Sequence, residues 1–324
     1  MKFLKINYTI LDQNPGWDGI NHLVEWVGRV CYHSHHLIKE GSAENMVNAL
    51  MKLNHGSPLE HGTVYLHLNI SRDIEKKWDN NDLYKIFLKS FFNDNPYSKV
   101  VAHENGEDFY VTTNLRVIFE NKINDKKIFD IVKEHPEMFC ETPTEYHEKR
   151  ISVYFECDRP TGESFLRHRK GSFARESTRY CNYSNEQKFG GELKIALPSH
   201  IESEADTIEQ LNNDNDIPSL FNKAYSCNSE NPLIVWLFAN KVVEWAYMRL
   251  TELGWKAEQA RCVLPFDVYS PLCMTMFESD WSHFFDLRAL NKTGLAHPDA
   301  QELAKPLMET FTKLGYYGMG NESV

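Results

Sequence analysis

Two stretches near the start of the chain have apolar residues that recur three and four positions apart. They are INHLVEWVGRVCY (20–32) and AENMVNALMKLNHG (43–56), and their spacing predicts two helices with one apolar face each. The stretch TVYLHLNISR (63–72) alternates apolar and polar residues instead. This alternation predicts a half-buried strand, and the preceding SPLEHG (57–62) predicts a turn.

The segment from about 73 to 148 differs in character from the residues before it. Its first part is charged and aromatic, and GEDFYVTTNLRVIFEN (106–121) then predicts a strand that runs into a helix. A further helix is predicted for DKKIFDIVKEHPEMF (125–139). A polar connector (141–150) leads into ISVYFEC (151–157), whose alternation predicts another strand.

Helices dominate the second half of the chain. A strand is predicted for ELKIALP (192–198), and the acidic stretch 199–219 is predicted to be a polar surface segment. The predicted helices are PLIVWLFANKVVEWAYMRLTELG (232–254), its continuation KAEQARCVLP (256–265), SDWSHFFDLRAL (279–290) and HPDAQELAKPLMETFTKLG (297–315). Strands and helices therefore mix, and we predict a single α/β (α+β) domain with a mixed sheet flanked by helices and a helix-rich C-terminal half.

Composition narrows the classes of function. The chain has 324 residues, 42% of them hydrophobic, and a net charge of −11, which argues against general nucleic-acid binding. No apolar run reaches the roughly 18–20 residues that a membrane span needs, and the start MKFLKINYTI has no secretory-signal core. The seven cysteines are scattered without a C-x-x-C pair. This pattern argues against a metal site or a disulfide framework and favours a reducing, cytoplasmic location.

A dense basic cluster contrasts with this acidic background. The stretch FLRHRKGSFARESTRYCNYS (165–184) contains Arg167, His168, Arg169, Lys170, Arg175 and Arg179. A solvated basic face is the ordinary interpretation of an arginine-rich stretch. Here, interleaved Phe and Leu residues predict partial burial, and Gly171 lets the backbone approach a ligand. Because arginine forks beside hydroxyl groups suit phosphate, we predict an anion pocket for phosphate or pyrophosphate. A short helix capped by Thr161 or Ser164 and ended by Gly171 is predicted to carry the start of the cluster.

The cluster resembles the R-H-R-x7-S signature of the flavin-dependent thymidylate synthases, through Arg167-His168-Arg169 and Ser177. Further segments resemble that family in the same order, namely GRVCY (28–32), HGSPLEH (55–61), EQARCVLP (258–265), HFFDLR (283–288) and AHPDAQELA (296–304). The resemblance runs over about 24–73 and 150–310. It implies a single catalytic domain (1–324), in which 73–148 is interpreted as an inserted segment at the periphery.

The resemblance also implies a reaction. Enzymes of this family convert dUMP to dTMP with a carbon from methylenetetrahydrofolate, while FAD, reduced by NADPH, supplies reducing equivalents. They use no cysteine nucleophile, and this chain has no Pro-Cys-His nucleophile segment. They are typically homotetramers with active sites built from several subunits. The partners implied are therefore these small molecules and further copies of the chain, with no nucleic acid, membrane or metal.

Residue roles follow from the resemblance, position by position. Arg288 is expected to be catalytic, stabilising negative charge on the pyrimidine. The residues expected to bind dUMP are Ser164, Arg167, Arg175, Ser177, Arg179 and Arg261. The residues expected to bind FAD are Cys31, His55, Ser57, Arg167, His168, Arg169 and His283.

Departures from the family pattern leave alternatives open. The family's SxNE or SxNQ segment reads SFARES (172–177), with Ala174 in place of an amide and Arg175 in place of an acidic or amide residue. This change leaves open an alternative function, that of a flavin-dependent hydroxymethylase acting on dUMP or dCMP. The unusual segment 73–148 leaves open a further alternative, in which the protein is a non-catalytic nucleotide-binding homologue that recruits a partner.

Overall fold

The computed structural model describes residues 1–69, 95–123, 125–226 and 231–318. Its strands are β1 (Lys2–Lys5), β2 (Asn7–Leu11), β3 (Thr63–Asn69), β4 (Lys99–Ala102), β5 (Asp108–Asn114), β6 (Lys122–Ile123), β7 (Lys126–Lys127), β8 (Phe139–Cys140), β9 (Arg150–Glu156), β10 (Ser172–Arg175), β11 (Lys194–Leu197) and β12 (Leu272–Phe277). Its α-helices are α1 (Gly16–Tyr32), α2 (Ser42–Lys52), α3 (Gly56–Leu59), α4 (Leu115–Glu120), α5 (Ile128–Glu134), α6 (Arg159–Phe165), α7 (Glu186–Phe189), α8 (Ala205–Asp214), α9 (Ile217–Tyr225), α10 (Pro232–Glu252), α11 (Ala257–Ala260), α12 (Trp281–Arg288) and α13 (Pro298–Lys313). Short 3₁₀ turns are formed by His35–Leu37, Pro136–Met138, Ser199–Glu204, Arg261–Val263 and Glu278–Asp280.

The first four-stranded sheet has the order β10-β12-β9-β2, and its neighbouring strands are antiparallel. Strand β12 lies between two partners and is buried at every position, in agreement with its nearly continuous apolar sequence LCMTMF. Helices α12 and α13 cover one face of this sheet through a cluster of aromatic side chains. The largest members of that cluster are Phe155, Phe165, Trp281, Phe284, Phe285 and Phe311.

The second four-stranded sheet has the order β4-β5-β3-β8, again with antiparallel neighbours. Val64, Leu66 and Leu68 of β3 point into a core shared with α1, α2, α4 and α5. The prediction of a strand is confirmed for Thr63–Asn69, but the strand is more buried than predicted, since Tyr65 on the opposite face is buried and only His67 and Asn69 are partly exposed. Residues 70–72 of that prediction, and the charged stretch 73–94, lie outside the described residues.

The segment 95–148 contributes β4, β5 and β8 to this second sheet and α4 and α5 to its core. The predicted strand that runs into a helix is confirmed as β5 followed directly by α4. Asn114 separates the two elements and caps the helix by accepting a hydrogen bond from the Val117 N–H (3.0 Å).

A third layer combines the parallel pair β1-β11 with the long helix α10. Pro232 starts this helix and Asn231 caps it, as the sequence pattern predicts for a helix beginning. The expected continuation through KAEQARCVLP is wrong. Gly254 adopts a φ of +95°, which breaks the helix, and a new short helix starts after Lys256.

Two further predictions need correction. The acidic stretch 199–219 is not merely polar surface, because it forms a 3₁₀ turn, α8 and the start of α9, and Ile208 is fully buried. Helix α6 is capped by neither Thr161 nor Ser164. Asp158 caps it by accepting hydrogen bonds from the Thr161 N–H (2.6 Å) and hydroxyl (3.1 Å). No described helix is long and apolar enough to cross a membrane.

The Asp158 cap generates a testable prediction. Burial and the neighbouring Asp299 raise the pKa of the Asp158 carboxyl to about 6, so its ionised form costs stability as pH rises from about 4 through 6. Asp158→Asn keeps a hydrogen-bond acceptor and removes the charge. We expect the change in the free energy of unfolding that it causes to be more favourable at pH 7.5 than at pH 4.5. Asp158→Ala removes the cap and should destabilise the fold by about 1 kcal/mol.

Urea unfolding at the two pH values measures both effects. Ser164→Ala is the control, because the Ser164 hydroxyl donates to the Thr161 carbonyl (2.7 Å) and leaves the helix-starting N–H groups untouched. An Asp158→Asn effect that is the same at both pH values would contradict the raised pKa.

Candidate functional site

The basic loop is a tight turn between two regular elements. Helix α6 ends at Phe165, so the expectation that the cluster lies on a helix ended by Gly171 is wrong. The His168 N–H donates to the Phe165 carbonyl (3.0 Å), and the Gly171 N–H donates to the His168 carbonyl (2.9 Å). A Cβ at Gly171 would lie 2.7 Å from the Phe173 ring, so a larger residue at this position would require that ring to move.

The antiparallel pairing of β10 with β12 determines which residues meet this loop. Ser172 at the start of β10 pairs with Thr275 near the end of β12, and Arg175 pairs with Leu272 at the start of β12. Residues just before β10 therefore lie beside residues just after β12. By the same geometry, residues just after β10 lie beside residues just before β12.

The basic loop and the start of helix α12 enclose a cavity of about 310 Å³. Its lining residues are Arg167, His168, Arg169, Lys170, Met276, Asp280 and His283. Lys170 is neutralised by Asp280 at 2.8 Å. Arg167 and Arg169 form no hydrogen bond or ion pair with any other described residue. The cavity therefore has a net positive lining.

Arg288, the last residue of helix α12, is bonded to residues at and just before the basic loop. Its Nη2 donates to the Ser164 carbonyl (2.6 Å), and its Nε donates to His168 Nε2 (3.3 Å). Burial, with Arg288, His283 and Arg167 nearby, lowers the pKa of His168 to about 4. His168 is therefore neutral at pH 7, and with Nε2 accepting, its proton lies on Nδ1.

Arg288 itself stands close to another cation. Burial and the charge of Arg167 lower the pKa of Arg288 from its ordinary value. Two guanidinium groups held near each other repel, and no described carboxylate is bonded to either one. Such an arrangement is typical of a site for an anion or for a developing negative charge.

A second group lies beyond the other end of β10. The Ser177 N–H donates to the Cys31 carbonyl (3.0 Å). Arg261 donates weakly to the Thr178 hydroxyl (3.4 Å), and Arg179 lies 4.0 Å from the Glu258 carboxylate. Both arginines are exposed, so this second group also presents cations to a ligand.

Burial raises the pKa of the Cys31 thiol to about 11. The thiol is therefore protonated at pH 7 and is not a nucleophile.

The HGSPLEH turn lies beside β10, between the two groups. The Ser57 hydroxyl donates to the Phe173 carbonyl (2.7 Å), and His55 is exposed at the residue before helix α3. The structure thus places His168 and His283 in the lining of one cavity, with Arg288 bonded to His168. It also places Cys31 beside Ser177 and Ser57 against strand β10, which joins the two groups.

Arg175 and the Ser164 side chain face other partners. Arg175 donates to Ser270 Oγ, to the Arg159 carbonyl and to Glu163 Oε1, each at 2.8 Å. Ser164 enters the cavity group only through its carbonyl, since its hydroxyl bonds within helix α6. A direct dUMP contact of Arg175 stays a prediction.

Sequence reasoning assigned no role to several residues of these groups. Lys170 was visible in the basic cluster, but its pairing with Asp280 had no signal in the sequence. Lys99 donates to Glu148 (2.7 Å) and to Ser279 Oγ (2.6 Å), next to Asp280 on the cavity rim. A contact between residues this far apart in the chain cannot be found from spacing.

The model of one protein family, the thymidylate synthase complementing proteins, matches residues 11–85 and 99–314. The chain belongs to this family. The match confirms the family predicted from the R-H-R-x7-S signature. The interval between the matched ranges, 86–98, falls inside the segment predicted as an insertion, whose boundaries stay a prediction.

Two solved structures of the UMP/dUMP methylase PolB from Streptomyces cacaoi are also similar to this chain. The one bound with 5-Br UMP is 16% identical with a TM-score of 0.40, covering 97% of this chain and 92% of that chain. The one bound with 5-Br dUMP is 17% identical with a TM-score of 0.38, covering 97% and 93%. No curated protein matches the chain.

The electrostatics of the cavity can be tested directly. Because the charge of Arg167 contributes to the low pKa of His168, Arg167→Gln should raise that pKa above about 4. It should remain below the ordinary value, since burial is the larger cause. NMR titration of ¹³C-labelled histidine, assigned with His168→Asn, measures the shift.

Lys170→Gln is the matched control, because Lys170 belongs to the same loop but is neutralised by Asp280. It should leave the His168 titration nearly unchanged. Equal shifts in the two variants would mean that Arg167 has no specific electrostatic effect on His168.

Proposed function

We propose that the protein is a flavin-dependent thymidylate synthase that converts dUMP to dTMP, with methylenetetrahydrofolate as carbon donor and NADPH as reductant of FAD. Family membership supports the class of enzyme. The observation that carries the proposal is that Arg167 and His168 line one cavity and Arg288 is bonded to His168, with no described carboxylate bonded to the two arginines.

The chemistry of the cavity fits a flavin dinucleotide. A diphosphate brings negative charge that would relieve the repulsion among the cavity cations, and the free guanidinium groups of Arg167 and Arg169 match phosphate oxygens. The remainder of the cofactor would be lined by Ser57, His55, Cys31 and His283. When bound, FAD supplies the reducing equivalents that convert the transferred one-carbon unit to a methyl group.

Arg288 is the residue we assign to catalysis. Two of its nitrogens are held by Ser164 and His168, while Nη1 has no partner among the described residues and can donate to a ligand. A fixed cation beside the pyrimidine stabilises negative charge on its N3 and O2 and so favours attack from C5. Neutral His168 accepts from Arg288 and thereby orients it.

Arg179 and Arg261 are assigned to the phosphate of dUMP, together with Ser177. Their links to Glu258 and Thr178 are long, so a phosphate can replace them at little cost. The two cationic groups lie at opposite ends of β10. As the family resemblance implies, we propose a homotetramer whose active sites are built from several subunits.

The first expected outcome concerns cofactor and product. The purified protein should bind FAD and turn yellow, and with dUMP, methylenetetrahydrofolate and NADPH it should form dTMP. Mass analysis of the nucleotide tests this, with UMP and dCMP as comparison substrates. A product heavier than dTMP by one oxygen would identify a hydroxymethylase, tight dUMP binding without turnover would identify a binding protein, and a colourless protein that takes up no flavin would refute the proposal.

The second expected outcome concerns the arginines. Arg261→Ala should weaken dUMP binding by about 1.5–3 kcal/mol, the scale of a charge-assisted contact. Arg288→Ala should abolish turnover and leave dUMP binding largely intact. Isothermal titration and single-turnover kinetics separate the two effects. Arg249→Ala is the control, since Arg249 is exposed on helix α10 and pairs with Glu252; wild-type behaviour of both site variants would show that the roles are misassigned.

A further inference from the structure

Arg150, the first residue of β9, is a buried cation with an unusual set of partners. Only 8% of its surface is exposed. It forms no ion pair with a carboxylate of the described residues, since the nearby Glu60 carboxylate is bonded to Arg116 at 2.6 Å. Its Nε has no hydrogen-bond partner among the residues that the structure describes. Burying an arginine with neutral partners costs stability, so the arrangement calls for a compensating role.

The two ends of the Arg150 fork hold two different segments. Nη1 donates to the Glu60 carbonyl (2.9 Å), and Nη2 donates to the Ser172 hydroxyl (3.1 Å). Glu60 lies in the turn that contains Ser57, and Ser172 directly follows the basic loop at Gly171. One guanidinium therefore joins the two segments that carry most of the proposed FAD-binding residues.

A layer of neutral polar groups surrounds this link. His61 bonds to the Thr275 hydroxyl (2.7 Å), which bonds in turn to Ser152 Oγ (2.7 Å). Burial and the charge of Arg150 lower the pKa of His61 to about 3, so His61 is neutral at pH 7. Arg150 thus supplies the charge in this layer, and its planar fork sets the separation of its two partners.

We infer that Arg150 is a positioning residue for the cofactor site: its fork fixes the HGSPLEH turn (55–61) against the start of β10, so that Ser57 and the basic loop face the same ligand. This inference rests on the proposed function for the identity of the ligand, FAD. The link between the two segments is a property of the protein itself and can be measured without any flavin.

The test compares Arg150→Gln and Arg150→Lys with Arg116→Gln. Arg116 is partly exposed, binds the Glu60 side chain and also pairs with Glu120, so it secures the same turn without bonding to Ser172. The measurements are FAD affinity by flavin absorption and fluorescence, thermal midpoint, and amide hydrogen exchange of residues 55–61 and 166–172.

We expect Arg150→Gln to weaken FAD binding by about tenfold or more, the scale for losing one buried hydrogen bond to a charged donor. Exchange should become faster in both segments. Arg150→Lys keeps the charge but not the fork, and should restore thermal stability more than FAD affinity. Arg116→Gln should lower the thermal midpoint while leaving FAD affinity and exchange in 166–172 close to wild type.

Several outcomes would overturn the inference. Wild-type FAD affinity and exchange in Arg150→Gln would do so, and so would an equal loss of affinity in Arg116→Gln, since turn stability alone would then explain the effect. If the Arg150 variants do not fold, Ser172→Ala removes the same link from the other side, and unchanged exchange in 55–61 and 166–172 would count against the inference. If the wild-type protein takes up no flavin, the proposed function is refuted. The hydrogen-exchange data would still show whether Arg150 joins the two segments.

Discussion

The antiparallel pairing of β10 with β12 is the constraint on which the candidate site depends. Because the register matches Ser172 with Thr275, the basic loop before β10 meets the helix that follows β12, and Arg288 reaches His168 and Ser164. The same register brings the residues after β10 to the segment before β12, where Arg261 meets Thr178. One pair of strands therefore assembles both cationic groups.

This assembly has an electrostatic cost that the rest of the fold offsets. Arg167 and Arg288 repel each other, His168 is held neutral by burial, and Arg150 is buried among neutral partners. The apolar clusters behind the sheets stabilise a backbone that keeps these groups in place. A site with such unbalanced positive charge is suited to a ligand that supplies the missing negative charge.

The second sheet contacts a segment next to the cavity, although none of its residues lines the cavity. Lys99 of β4 bonds to Ser279, and the next residue, Asp280, neutralises Lys170 on the cavity rim. Segment 95–148 thus shares a core with α1 and α2 and reaches the rim of the proposed flavin cavity. These contacts connect segment 95–148 to the candidate site.

The sequence by itself determined the family, the long helices and the presence of strand β3, because local periodicity and ordered motifs depend only on neighbours in the chain. It also identified His168, His283 and Arg288, which do meet. Tertiary structure alone decided that Arg175 bonds to Ser270 and that Arg150 joins Glu60 to Ser172. These partners come from segments that are far apart in the chain, and the spacing of residues within one segment does not show which distant segment it meets.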